Sequence, residues 1–151
     1  EIIKSKSQEW DKLLNDVDEL CKIEDPEKTP FQSKYNAINL MVQYQNELQQ
    51  NIDNSIEKED ILDLIAVLDT RIGVLHIDTE DRPSGDKSLS KGIERLLEAK
   101  KHHRYQHCAT LLDALNQLGI LWSHRGEVVK AEDTLHQAYD LYQGLKQKFE
   151  G

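Results

Sequence analysis

Two stretches of this 151-residue chain carry the same series of small and bulky positions, and that recurrence restricts the fold more than any other feature. Gly119, Ala131, Leu135 and Ala138 form the later series. Gly73, Gly85, Leu89 and Gly92 form the earlier one, each residue standing 46 positions before its counterpart. A glycine or alanine on one helix lets a second backbone come close, and a leucine facing it fills the gap that remains. Gly126 falls inside the later series, where the chain must reverse. A hairpin of two helices, made twice, satisfies all of these positions.

The later series extends to Leu115, Leu118 and Trp122 and so resembles the tetratricopeptide (TPR) template W-x2-L-G-x2-Y…A-x3-F. Leu115 stands for the first aromatic, Trp122 for the tyrosine and Leu135 for the phenylalanine. In the earlier copy Asp69 and His76 take the aromatic places. Hairpins of this class stack into scaffolds that bind other proteins and rarely do chemistry. The 46-residue period exceeds the roughly 34 residues of the ordinary repeat, so longer helices are predicted.

Apolar spacings of three and four recur nearly throughout, Gly and Pro are few, and six helices follow. The first is predicted over about Lys6 to Ile23, with Ser5 and Gln8 as a capping box and Trp10, Leu13, Leu14, Val17, Leu20 and Cys21 on one stripe. Thr29 serves as N-cap, with Pro30 opening a second helix that carries Phe31, Tyr35, Ile38, Met41 and Leu48. A turn at Asn51 to Asn54 leads to a third helix, capped by Asn54 with Glu57 and apolar on nearly every side, as a helix packed between neighbours must be. Pro83 fits the first turn of a fourth helix through about Lys101; a fifth spans about His107 to His124. The sixth, from Glu127 to about Phe149, is roughly 34 Å long at about 1.5 Å per residue. The predicted fold class is an all-α, TPR-like right-handed α-solenoid of about three helical hairpins, over about 6–52, 57–101 and 107–149, in a single domain. The first hairpin departs from the template and reads as an end cap.

Charge narrows the partners. Asp and Glu number 28 against 19 Lys and Arg, a formal charge of −9, which disfavours nucleic acid and anionic membrane surfaces and favours a basic protein surface. No apolar run approaches a membrane span and no secretory leader is visible, so no membrane insertion is expected. Cys21 and Cys108 both sit in helical, apolar contexts, as free thiols of a reducing compartment do, and a cytoplasmic location is expected. Glu1 in place of an initiating Met, close to a helix start, is read as the mark of a segment of a longer polypeptide.

Each candidate for chemistry has a plainer reading. His102, His103, His107 and Cys108 are the cluster with the look of a metal site, and His103 and His107 have helical i, i+4 spacing. A zinc site needs further ligands and a supporting shell, which nothing adjacent supplies, so a polar loop followed by a buried cysteine is preferred, with no metal and no cofactor. Asp78, Glu80 and Asp81 fall where carboxylates favour a helix N-terminus, so capping explains them better than hydrolysis. Cys108 lacks a base and an orienting partner, and no enzyme is expected. Trp122 is placed between paired helices rather than on a binding surface. In tetratricopeptide-like proteins the first helix of each hairpin lines the concave groove. This likeness maps groove positions onto Thr70, Val74, Ile77 and Asp78, then Asp113, Asn116, Ile120, Ser123 and His124. The basic clamp with which chaperone-tail binders of that class hold a carboxylate terminus is missing, its places being taken by Thr70, Val74 and Gln117.

Three segments are more specific than helical-repeat physics demands: Pro26-Glu27-Lys28-Thr29-Pro30-Phe31-Gln32-Ser33-Lys34-Tyr35, His76-Ile77-Asp78-Thr79-Glu80 and Leu118-Gly119-Ile120-Leu121-Trp122-Ser123. In this order they resemble parts of the kinesin-binding protein family (KIF-binding protein), over about Asp25 to Phe149. The resemblance implies a helical-repeat adaptor, cytoskeleton-associated, that clasps the motor domains of certain kinesins and blocks their attachment to microtubules. Cargo and mitochondrial transport and neuronal growth would depend on it. It also implies that this chain is the amino-terminal part of a much longer protein, whose remainder is itself a partner. Some members carry a long acidic insertion between the second and third helices, where this chain has only about Asn51 to Lys58. The alternative is a generic TPR-like scaffold for another peptide or helix. The charge agrees in sign with the first reading, since a motor's track-binding face is basic and an acidic scaffold is drawn to it.

Overall fold

The computed structural model describes residues 2–52 and 57–150, with side chains from 7–52 and 57–148. Among the described residues the chain is helical, without strands: α1 (Ile2–Cys21), α2 (Gln32–Gln50), α3 (Lys58–Asp78), α4 (Arg82–Lys101), α5 (Cys108–His124) and α6 (Val128–Glu150). Each helix packs on the next and α3 also touches α5, so the six form three hairpins stacked in chain order.

Two apolar clusters make the core. The first joins Leu13 and Val17 of α1 to Ala37, Met41 and Leu48 of α2 and to Ile61, Leu68 and Ile72 of α3. The second joins Ala66 and Val67 of α3 to Leu89, Ile93 and Leu96 of α4, Leu111, Leu115 and Leu118 of α5, and Ala138 and Leu141 of α6. α3 serves both clusters, which accounts for its being apolar nearly all round. Fully burying one such side chain contributes roughly 1.5–3 kcal/mol. Trp10 of α1 packs against both clusters, its ring centroid 6.2 Å from that of Tyr44.

The small-residue series sits where hairpin helices touch. A Cβ on Gly73 would lie 2.8 Å from Leu89 Cγ and 2.9 Å from the Leu89 backbone nitrogen; one on Gly119 would lie 2.6 Å from Leu135 Cδ2. The same glycine-on-leucine contact is therefore made in both hairpins. Gly92 lies as close to the Ala66 carbonyl and the Thr70 methyl, where a Cβ would come within 2.7 Å of each.

Helix ends depart from the sequence expectation in several places. α1 begins at Ile2, so Ser5 lies inside the helix rather than in a capping box, and it ends at Cys21 rather than Ile23. α2 begins two residues after Pro30, and its cap is Asp25 rather than Thr29. The Asp25 carboxylate accepts from the Ser33 backbone N–H at 2.9 Å and from the Ser33 hydroxyl at 2.6 Å. These two bonds hold the Asp25 carboxyl below its usual range. Tyr35 is exposed, lying edge-on to Phe31, whereas Ile38, Met41 and Leu48 are buried. The expected cap Asn54 lies outside the described residues. α4 starts as expected, with Pro83 in its first turn, and the Asp81 carboxylate accepts from the Ser84 N–H at 3.2 Å.

α3, α4 and α5 all stop in the same way. Glu80 (φ 68°), His103 (φ 63°) and Gly126 (φ 77°) are left-handed, and after each the chain donates back to the last turn. Asp81 N–H reaches the His76 carbonyl at 2.7 Å, Arg104 N–H the Ala99 carbonyl at 3.0 Å and Glu127 N–H the Trp122 carbonyl at 3.0 Å. Gly126 is at the reversal, as its sequence position foretold. Glu80 and His103 do the same work without being glycine, so His103 lies in a turn and is not on a helix with His107.

Candidate functional site

α1, α3 and α5, the first helices of the three hairpins, share a concavity of about 570 Å³. α1 contributes Val17, Asp18 and Cys21; α3 contributes Thr70, Arg71, Val74 and Leu75; α5 contributes Thr110, Asp113, Ala114, Asn116 and Gln117; Met41 of α2 completes it. Val17, Met41, Leu75 and Ala114 are buried and form an apolar floor. The exposed Asp18, Asp113, Asn116 and Gln117 form a polar rim with the half-buried Arg71.

Two carboxylates and one guanidinium leave this rim negative. Arg71 Nη1 stands 3.7 Å from Asp18 Oδ1, with the side chains 41% and 61% exposed, so the pair is weak and either member can exchange it for a partner's charge. Burial, followed by the charge of Asp18, pushes the Cys21 thiol up, which keeps it from acting as a thiolate. The groove can take an apolar side chain on its floor with basic and hydrogen-bonding groups above.

Of the positions mapped by the repeat likeness, the groove brings together Thr70, Val74, Asp113 and Asn116. Thr70 is buried, its hydroxyl donating to the Val67 carbonyl at 2.7 Å and its methyl facing Gly92, so it contributes shape rather than a free donor. Ile77 is half-buried and turned toward Gly85 of α4. Asp78, Ile120, Ser123 and His124 are exposed and do not line the groove. The repeat likeness missed Val17, Asp18 and Cys21, because α1 lies in the hairpin that does not match the template.

The histidines turn to different neighbours. His102 Nε2 is 3.1 Å from Glu98 Oε1, and His103 Nδ1 is 2.9 Å from the Tyr105 hydroxyl. His107 lines a cleft with Trp10 and Asp60, and burial pushes its pKa down; burial pushes the Cys108 thiol up. Among the described residues no three His, Cys, Asp or Glu side chains gather as metal ligands. No described helix is long and apolar enough to cross a membrane.

A charge cluster that the sequence reading did not find ties α3 to α4 and the loop after it. Asp63 is fully buried, and its carboxylate accepts from Arg95 Nε at 3.2 Å and from Arg104 Nε at 2.7 Å. Arg95 also pairs with Glu59, whose carboxyl is held below its usual range by that bond first and by the Arg95 charge second. Hydrogen bonding to Asp63 raises the pKa of Arg104 further.

Relatives of this chain are known. It is 37% identical over 119 residues to the KIF-binding protein of Gallus gallus, an alignment covering 78% of this chain and 19% of the relative. It is 34% identical over 146 residues to the KIF-binding protein of Homo sapiens, covering 78% and 23%, and 28% identical over 138 residues to that of Dictyostelium discoideum, covering 87% and 22%. The chain is a homologue of the KIF-binding proteins. It spans about a fifth of the length of these relatives. No family model matches it, and no solved structure matches it significantly.

The three segments that carried the resemblance to KIF-binding proteins are architectural in this fold. Residues 26–35 form the connection and first turn of α2, beside the Asp25 cap. His76 to Glu80 close α3, with the Thr79 hydroxyl donating to the Leu75 carbonyl at 2.9 Å. Leu118 to Ser123 form the last turns of α5, where Arg125 and Lys130 lie 5.1 Å and 4.7 Å from the Trp122 ring. Trp122 is half-buried against the second core cluster.

Proposed function

We propose that this chain belongs to a non-enzymatic adaptor that binds kinesin motor domains through the groove of α1, α3 and α5. By occupying a motor it blocks attachment to microtubules, acting in the cytoplasm at the cytoskeleton and regulating microtubule-based cargo and mitochondrial transport. The observation that carries this reading is the negative rim over an apolar floor, on a homologue of proteins named for binding KIFs. A motor's track-binding face is basic, so Asp18 and Asp113 attract it at long range and the floor takes an apolar side chain after contact. The chain is the amino-terminal part of the adaptor, and the rest of the polypeptide extends the binding surface.

The test is co-sedimentation of a kinesin motor domain with microtubules in the presence of the natural full-length polypeptide. The expected result is loss of the motor from the pellet, and restoration of it when Asp113→Lys and Asp18→Lys weaken binding by about ten-fold, which corresponds to about 1.4 kcal/mol. A motor that keeps its full microtubule affinity beside the unaltered protein sinks the proposal. Capture of other peptides or helices with no motor among them would favour a generic repeat scaffold.

A further inference from the structure

A second cavity lies farther along the three helices that make the groove, toward their amino-terminal ends. It is a cleft of about 310 Å³ between α1, α3 and the start of α5. Its Trp10, Leu64 and His107 stand seven residues before Val17, Arg71 and Ala114 of the groove, about 10 Å at about 1.5 Å per residue. Residues seven apart share a helix face to within about 20°, so cleft and groove open on one side of the stack.

The cleft joins an aromatic wall to negative charge that the chain leaves unmatched. Trp10 is half-buried, packing on both core clusters and lining the cleft with what remains. Ile61 and Leu64 are its apolar floor, and Glu57 and Asp60 supply carboxylates. Asp60 is exposed and makes no hydrogen bond or ion pair with any described residue. The first turn of α3 favours a carboxylate there, which explains the acid but not the indole that lines the same cleft. Arg104 feels the charge of Asp60 and yet donates to Asp63. Burial pushes the His107 pKa down, and no described Lys or Arg lines the cleft, so it carries no cation of its own near neutral pH.

We propose that the cleft holds an arginine side chain of a protein partner, its guanidinium on the Trp10 ring and its N–H groups donating to the Asp60 carboxylate. A planar guanidinium stacks on an indole and directs donors at a carboxylate; a lysine ammonium does both less well. The volume is at the low end of the roughly 300–1,000 Å³ of small-ligand sites and suits one long side chain rather than a cofactor. The inference deepens the reading of the groove as the seat of a basic protein surface and rests on it, whichever protein presents that surface.

The experiment is carboxyl footprinting of the natural full-length polypeptide with a carbodiimide and glycine ethyl ester, read by mass spectrometry, with tetra-arginine as the probe. Tetra-arginine is expected to slow labelling of Asp60 about five-fold, while the exposed Asp16, which lines neither cavity, keeps its rate. Tetra-lysine should need about three-fold more peptide for the same protection. Trp10→Phe, which keeps an aromatic ring in the core, should weaken the peptide about three-fold. Equal slowing at Asp60 and Asp16 overturns the proposal, because it reports only the acidic field. Equal protection by tetra-lysine, or a Trp10→Phe variant that binds as the unaltered protein does, overturns it too. A kinesin motor domain separates this site from the function proposed above. Where the motor binds, Asp60→Asn should weaken it about ten-fold and Asp16→Asn about two-fold or less, and equal effects overturn the cleft as an anchor. A motor that does not bind, beside tetra-arginine that protects Asp60, removes the kinesin reading and leaves the arginine site standing.

Discussion

The α3–α4 and α5–α6 hairpins are written in one register and held to different degrees. In each, a glycine of the first helix receives a leucine of the second, Gly73 with Leu89 and Gly119 with Leu135. Leu89 is sealed by neighbours on both sides of its hairpin, whereas Leu135 sits on the uncovered face. The earlier hairpin also encloses Asp63 with Arg95, while the corresponding later positions are Ala109 and Leu141. A repeat pattern specifies which residues meet; the neighbours decide how firmly they are held.

The largest break in this comparison comes from the charge cluster. Asp63→Asn leaves two partly buried guanidinium groups short of a counter-charge and is expected to cost about 3 kcal/mol in urea unfolding. A loss below about 1 kcal/mol would show that the cluster is solvated and marginal. Next is the pair of glycines. Gly73→Ala drives a methyl group into the buried Leu89 and its backbone nitrogen, and should cost about 2–3 kcal/mol. Gly119→Ala meets only the side chain of Leu135, which has solvent to move into, and the helix-propensity gain of about 1 kcal/mol offsets most of the strain. Equal destabilisation of the two variants in thermal melts would remove the distinction between the hairpins.

Smaller effects are expected at the turns and at a buried acid. Glu80 and Gly126 are counterparts in the 46-residue register, and both are left-handed. Glu80→Gly should stabilise by about 1 kcal/mol and Gly126→Ala should destabilise by a similar amount. Asp69 is the counterpart of Leu115, and burial pushes its carboxyl up against the opposing bond from Gln45. A raised folded pKa gives stability that is fully present below the unfolded value, about 3.9 for Asp, and is lost as pH rises through the folded value. Asp69→Asn should therefore gain on the unaltered protein as the pH of the melt moves from about 4 toward neutrality. A constant difference across that range contradicts this account, because Asp25, Glu59 and Asp81, whose lowered carboxyls act in the opposite sense, are present in both proteins.

The parts legible in the sequence are those whose cause is local. Helical periodicity and the recurrence of Gly73, Gly85, Leu89 and Gly92 at Gly119, Ala131, Leu135 and Ala138 placed the last four helices close to their observed bounds. The tetratricopeptide likeness, not periodicity, mapped Thr70, Val74, Asp113 and Asn116 to positions that line the groove, along with others that do not. Features made by distant partners were not legible. Asp63 finds its arginines 32 and 41 residues away, and nothing in its neighbourhood but an acid among apolar residues marks it. The Asp25 cap spans eight residues, beyond the reach of a capping motif read in a four-residue window. The left-handed turns at Glu80 and His103 are imposed by the helix ends around them and have no glycine to announce them.

Trp10 gives the stack a property that its nearest-neighbour architecture would not. In a linear array each hairpin meets only the next, and unfolding can fray from an end. Trp10, on the first helix, touches the cluster of the first three helices and also the one shared by the last four. Peeling away α1 therefore opens both at once. One indole of the end hairpin thus buries apolar surface of both clusters, and loss of α1 is felt beyond its own hairpin.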